Sequence, residues 1–597
     1  MITIRPLPLV LAIAGALALG ACARNSATPE VGADQRKEQP ERTRIAEEAD
    51  ASKVSTSGAA MPKREAQNQL ALKPTSQPAV APAPMVADAI SAQQSVATGM
   101  IAPASPPAGP PNRAGIDQPT DTERYADLAP NPVIAAAETP VSTFSIDVDT
   151  GAYSNARRFL DQGQLPPSDA VRIEEFINYF DYQYPTPDSV DQPFTVSTEL
   201  AKAPWNADRW LLQVGLKGYE VPFAQLPASN LVFLLDVSGS MMEPNKLPLV
   251  KTALGMVVEQ MRPQDTIAIV VYAGAAGLVL PATKGSDKAT ILASLAALEA
   301  GGSTNGGEGI QLAYQVAREQ FVDGGVNRVI LATDGDFNVG LVDQQDLEDL
   351  VTRERKSGIA LTTLGFGQGN YNDEVAERLA DLGNGNHAYI DSEREARKVL
   401  VKELGANLLT IAKDVKIQIE FNPAVVAEYR LIGYENRMLA REDFNNDAVD
   451  AGEIGAGHTV TALYELTPVG SQATRLPPLR YAANDQAKAA GNEIAFLKLR
   501  YKKPGQDQSR LIEQAVARPR EVGAGSAQLQ FAAAVAAFGE ALRGGKYLDG
   551  YDYAAIAALA QAHLGRDPYG MNAELVELIG KAAAINGEAP AQIAVAK

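Results

Sequence analysis

Between Asn230 and Leu409 the hydrophobic positions fall into two alternating kinds of segment. Apolar runs with no polar face, LVFLLD from Leu231, TIAIVVYAG from Thr266, RVILATD from Arg328 and ALTTLGFG from Ala360, predict strands buried on both sides. The stretches between them place apolar residues three or four apart, and predict helices over 246–261, 287–298, 308–321, 344–356, 373–382 and 393–409. HAYID from His387 adds a short strand. Strand and helix in repetition predict an α/β unit, its sheet doubly wound, mostly parallel and covered on both faces.

Outside that unit the period changes. STFSID from Ser142 alternates like a strand, and helical spacing follows in Tyr153–Leu160 and again in Asp169–Phe180, with Asp169 as a candidate N-cap. The stretches PFTVSTELAKA and RWLLQVGLKG, and after Ala412 DVKIQIEFNP, AEYRLIGYE, HTVTALYEL and NEIAFLKLRYK, alternate with period two and predict an antiparallel β region. The strands on both sides are expected to pair with each other, which makes the α/β unit an insertion into one β domain. From Ser526 onward three alanine-rich segments with apolar stripes predict a small helical bundle. The expected divisions are 125–229 (α+β flank), 230–410 (α/β unit), 411–505 (antiparallel β) and 506–597 (helical), preceded by 1–22 and 23–124.

The first two of those are different in kind. Arg5, the apolar Leu7–Leu19 and then Leu19-Gly20-Ala21-Cys22 resemble a bacterial lipoprotein signal, in which Cys22 is lipidated and becomes the mature N-terminus. Cys22 is the single cysteine among 597 residues, so no disulfide forms within the chain. Residues 23–124 contain no Phe or Trp and are rich in Ala, Pro, Gln and Ser, a composition that cannot offset ordering entropy and predicts a disordered tether. About 100 such residues span roughly 50–60 Å. The expectation is a protein anchored in the bacterial cell envelope, and Ala23 after the cysteine points to the outer membrane, facing the periplasm.

Charge narrows the partners. A formal net charge of −19 excludes a broad basic face for nucleic acid. Within the α/β unit the oxygen-bearing residues are concentrated where strands end. The first run stops at Asp236, followed by Ser238 and Ser240 around Gly239. RVILATD stops at Asp334, and the glycine-rich GGSTNGGEG between them carries Thr304 just before a helix. Ligands in open α/β sheets gather beyond the carboxyl ends of the strands, so both aspartates are expected in one crevice. Neutral hydroxyls beside carboxylates suit a hard cation, and Mg²⁺ keeps several waters that an outside group can replace.

Asp236, Ser238, Ser240, Thr304 and Asp334 resemble, in order and context, the metal-ion-dependent adhesion site of von Willebrand factor A (VWA) domains. The resemblance covers Asn230 to Leu409. It implies the Rossmann-like VWA fold and a divalent cation, Mg²⁺ first with Mn²⁺ or Ca²⁺ as alternatives. In such domains the two Ser and the Thr touch the ion, the Asp residues often act through water, and a protein partner offers a carboxylate to it. The flanks look like those of bacterial VWA lipoproteins whose outer regions have no assigned activity. Two other functional classes stay open: a metal-independent structural scaffold of the envelope, and a metal-dependent hydrolase. No Ser, His and acid set and no phosphate-cradling G-x-x-x-x-G-K favours an enzyme.

Other acidic stretches read more plainly. Asp147-Val148-Asp149-Thr150 begins like the D-x-D loop of phosphatases, but Gly151 departs from it, and turn and cap use of these carboxylates is expected. Asp334, Asp336 and Asn338 begin like an EF-hand loop, which Val339 breaks where Gly is required. Glu442, Asp443, Asp447, Asp450 and Glu453 read as a solvated loop, and His387, His458 and His563 show no ligand spacing.

Overall fold

A computed structural model describes residues 123–189, 191–335, 344–477 and 492–588. The expected signal segment with Cys22, nearly all of the expected tether, and Asp336 and Asn338 lie outside the described residues.

The α/β unit is built on six strands. In spatial order they are His387–Ile390, Ala360–Phe366, Val326–Thr333, Ser229–Asp236, Thr266–Tyr272 and Ala276–Lys284. The first five run parallel, and the last is an antiparallel edge strand that the pattern of apolar runs does not reveal. Ser229–Asp236 is central and buried at every position. Alternate side chains go to opposite faces, as strand geometry dictates. Leu231, Phe233 and Leu235 enter one core, with the helix Leu247–Gln260, whereas Val232 and Leu234 enter the other, with the helix Gly306–Glu319.

The flanking strands form two antiparallel sheets around one core. One contains Phe194–Ala203, Asn206–Gly218, Thr459–Pro468 and Val426–Ile432; the other contains Thr410–Phe421, Glu493–Lys502 and Arg510–Ala517, with Val141–Ser145 paired to the first of these. Leu212, Val214 and Leu216 from one sheet meet Ile417, Ile419 and Leu497 from the other. Trp210 to Lys217 pair in register with Leu466 to Thr459. Strands from before and after the α/β unit thus share a sheet, and that unit is inserted into a sandwich. The consecutive divisions 125–229 and 411–505 are two halves of one structure.

Several boundaries move. Arg510–Ala517, placed by sequence in the helical region, is an edge strand on Glu493–Lys502. One of its faces is wet, and Leu511 is exposed, so its alternation carries little apolar signal. The helix expected over Asp169–Phe180 is a 3₁₀ turn at Ser168–Ala170 and a short helix Ile173–Asn178. The expected helix 393–409 is broken into Glu393–Arg397, a π turn at Lys398–Lys402 and Leu404–Leu408. The C-terminal helices Ala527–Leu542, Tyr553–Ala562 and Met571–Ile585 do pack together, but they share their core with Tyr153 and Leu160 of the helix Gly151–Asp161 and with Phe176 and Ile177. Small alanine side chains permit this close approach. Among the described residues no helix is long and apolar enough to cross a membrane.

Candidate metal centre

The central strand has one parallel neighbour on each side, Thr266–Tyr272 and Val326–Thr333. A crevice opens at its carboxyl end, where the following loops diverge. Asp236 closes the strand there and is fully buried. Its Oδ1 accepts the Ser238 N–H at 2.8 Å, which curls the next residues over the strand end. Its Oδ2 is buried with no hydrogen-bond partner among the described residues. Ser238 is buried and Ser240 exposed, with their hydroxyl oxygens 3.0 Å apart.

The glycine-rich loop is tied to this turn. Gly301 donates to the Val237 carbonyl at 2.8 Å and Gly239 donates to the Gly302 carbonyl at 3.0 Å. Thr304, half-buried, follows on this tied loop, two residues before the helix Gly306–Glu319. Asp334 follows the adjacent strand and is fully buried. The chain then turns sharply through Gly335 at φ +95°, where a Cβ would lie 2.2 Å from the Asn372 nitrogen, so the turn requires glycine.

All five expected residues are thus brought to one edge of the sheet. Burial pushes the Asp236 carboxyl up to about 6, and the Asp334 charge adds to the rise. The residue that sequence reasoning missed is Lys246. It is buried just before its helix, and its Nζ lies 2.9 Å from Asp334 Oδ2 and 3.1 Å from Asn370 Oδ1. No spacing rule distinguishes it from a solvated helix-start lysine.

The residues fit a hard divalent cation. The buried Oδ2 of Asp236, the two adjacent hydroxyls of Ser238 and Ser240, and Thr304 on the loop tied to them make an all-oxygen donor set. Ser238, Ser240 and Thr304 would hold the ion, with Asp236 and Asp334 behind them. An ion held so would keep much of its charge uncompensated.

Comparison with known proteins agrees with the geometry. The profile for the von Willebrand factor type A domain matches residues 230–403, one for von Willebrand factor matches 119–213, and one for the C-terminal part of the uncharacterized protein YfbK matches 406–585. The uncharacterized YfbK of Escherichia coli (strain K12) is 49% identical over 466 residues, covering 77% of this chain and 80% of its own length. The chain belongs to the YfbK family. Its VWA domain is a protein-interaction module of a kind that often binds a divalent metal. Human inter-alpha-trypsin inhibitor heavy chain H4 is 32% identical over 149 residues, 23% of this chain and 16% of that protein. Among solved structures, a von Willebrand factor type A protein from Catenulispora acidiphila aligns over 67% of this chain and 92% of its own, with 15% identity and a TM-score of 0.36. This chain therefore joins a VWA domain to a further C-terminal region, which supplies strands to the sandwich and three helices.

Proposed function

We propose that the chain is a lipid-anchored protein of the bacterial cell envelope, at the outer membrane and facing the periplasm, that captures a protein partner through a divalent ion, Mg²⁺ in the first instance. The observation that carries the reading is the pairing of buried acids with an open hydroxyl: Asp236 and Asp334 are fully buried while Ser240 is exposed at the rim. Such a layout holds an ion from below and leaves its outer coordination positions to solvent or to a partner's carboxylate. Met242, 65% exposed and two residues beyond Ser240, offers that partner an apolar contact next to the ion.

Capture from envelope extract tests this. Partners retained with Mg²⁺, released by EDTA and absent with Asp236→Ala support the reading. Equal retention in EDTA favours a metal-independent scaffold, and phosphoester or peptide turnover that disappears in Asp334→Ala favours a hydrolase. Anchorage is tested separately by fractionating cells that carry Cys22→Ser, where release from the membrane fraction is expected.

A further inference from the structure

Away from the surface site, the inserted unit meets the flanking region through buried acids. Asp147 follows the strand Val141–Ser145, Glu175 lies on the helix Ile173–Asn178, and Glu377 lies on the helix Asp373–Leu382 of the VWA domain. They are 5%, 0% and 6% exposed. One carboxylate oxygen from each lies within 4.8 Å of those of the other two. Oxygens about 2.4 Å from a shared Ca²⁺ stand up to about 5 Å apart, so this spacing matches three ligands around one ion.

A second observation is independent of the clustering. Asp147 Oδ1 accepts the Asp149 N–H at 3.1 Å, but Oδ2 of the same carboxylate is buried with no hydrogen-bond partner among the described residues. A buried anionic oxygen without a donor costs several kcal/mol unless something positive faces it. The arginines present are committed elsewhere as well. Arg172 contacts Glu175 and Asp373 and lies 3.4 Å from Glu377, while Arg437 is 3.5 Å from Asp147 Oδ1 and 3.2 Å from Glu377 and also binds Asp381, so one guanidinium is shared among three carboxylates and Asp147 Oδ2 still lacks a donor among the described residues. Asp149, Glu174 and Asp373 are buried around the same centre. Carboxyl groups thus outnumber the guanidiniums around this centre.

We propose that Asp147, Glu175 and Glu377 bind a second divalent cation, separate from the surface site, which staples the VWA domain to the flanking region. Ca²⁺ suits it better than Mg²⁺. Three convergent carboxylates in a dry interior give an irregular oxygen set, which Ca²⁺ accepts, whereas Mg²⁺ demands near-octahedral geometry and surrenders its waters reluctantly. The carboxylates are held in place for this: Asp149 N–H donates to Asp147 Oδ1 at 3.1 Å, Ala152 N–H to Glu175 Oε2 at 2.7 Å and Asn436 Nδ2 to Glu377 Oε1 at 2.7 Å. Such oriented supports are what metal ligands use.

The test counts ions. The full-length chain carrying Asp236→Ala, dialysed against Ca²⁺ and analysed by plasma mass spectrometry, is expected to retain one Ca²⁺ per chain; none overturns the proposal. Adding Asp147→Asn and Glu377→Gln is expected to remove that ion, and retention overturns the assignment to these residues. Circular dichroism checks folding of the triple variant. If it does not fold, Glu377→Asp in the Asp236→Ala background replaces it, since it keeps the charge and shortens the reach. Calcium affinity at least tenfold weaker is then expected, and unchanged affinity overturns the site.

Discussion

Lys246 Nζ sits 2.9 Å from Asp334 Oδ2, with both side chains almost fully enclosed. The ammonium is a built-in cation at the edge of the proposed ion site, and it opposes any divalent ion placed there. A unit charge and a double charge about 5 Å apart repel by well over 1 kcal/mol even at the dielectric constant of water. Lys246→Met is therefore expected to tighten Mg²⁺ binding by about tenfold or more. Isothermal titration of the two proteins measures it, and unchanged affinity would show that the ion binds out of reach of Lys246.

Asp236→Ala should abolish the effect of Mg²⁺ on stability. With wild type, Mg²⁺ at about 100 times its dissociation constant should add roughly 2.7 kcal/mol, read as a rise in the thermal midpoint. The variant should melt at the same temperature with and without Mg²⁺.

Arg157 joins three parts of the chain at once. From the helix Gly151–Asp161 it reaches Asp391 at 2.6 Å, Glu395 at 2.7 Å and Glu574 at 3.1 Å, with its own side chain 5% exposed. Removing one partner from a buried ionic cluster strands the others, at a cost of about 3–5 kcal/mol. Arg157→Met is expected to lower the urea midpoint accordingly. A smaller loss is expected for Lys581→Met, whose pair with Asp161 is exposed on both sides.

Acid should weaken the fold partly through His458. Its Nδ1 accepts the Gly455 N–H at 3.2 Å, and Nε2 faces Asn407 Oδ1 at 3.2 Å. Burial, then the positive charges of Lys398, Lys217 and Arg328, push the imidazole down to about 3 from its ordinary 6.5. The unfolded chain takes up the proton below about pH 6.5 and the folded chain only near pH 3, so stability falls as pH drops through that window. The slope from this group is about 1 kcal/mol per pH unit. His458→Gln should flatten the decline between pH 6.5 and 4, measured by urea unfolding at successive pH values.

The VWA fold was legible because its signals are local. A both-sides-buried strand such as Leu231–Leu235 announces itself as an unbroken apolar run, and Asp236 and Asp334 are found by asking where such runs stop. The pairing of Trp210–Lys217 with Thr459–Leu466 was open to inference because both strands alternate, leaving each in need of a covered face. What could not be read was set by packing between distant segments. Lys246 acquires its role only when the turn after Thr333 brings Asp334 to it. Asp147 and Asp149 were noticed as a motif and assigned to turns; Asp147 does close one onto the Asp149 N–H, yet Asp149 reaches the His387 N–H at 2.9 Å and both carboxylates are buried. Nothing near Asp147 in sequence foretells Glu175 or Glu377. In the acidic loop Glu442, Asp447 and Asp450 are exposed as its composition suggested, whereas Asp443 and Glu453 are half-buried and Glu453 Oε1 is enclosed.

The insertion has a mechanical meaning. The chain leaves the strand Asn206–Gly218 in one sheet of the sandwich to enter the VWA domain, and returns into Thr410–Phe421 in the other sheet. A load at the rim near Ser240 would thus be divided between two sheets, and each would have to lose a hydrogen-bonded ladder before the domain came free. A domain hung from a single linker would swing toward the pull. This one is joined at both ends, so a load on its rim is carried straight into both sheets of the sandwich.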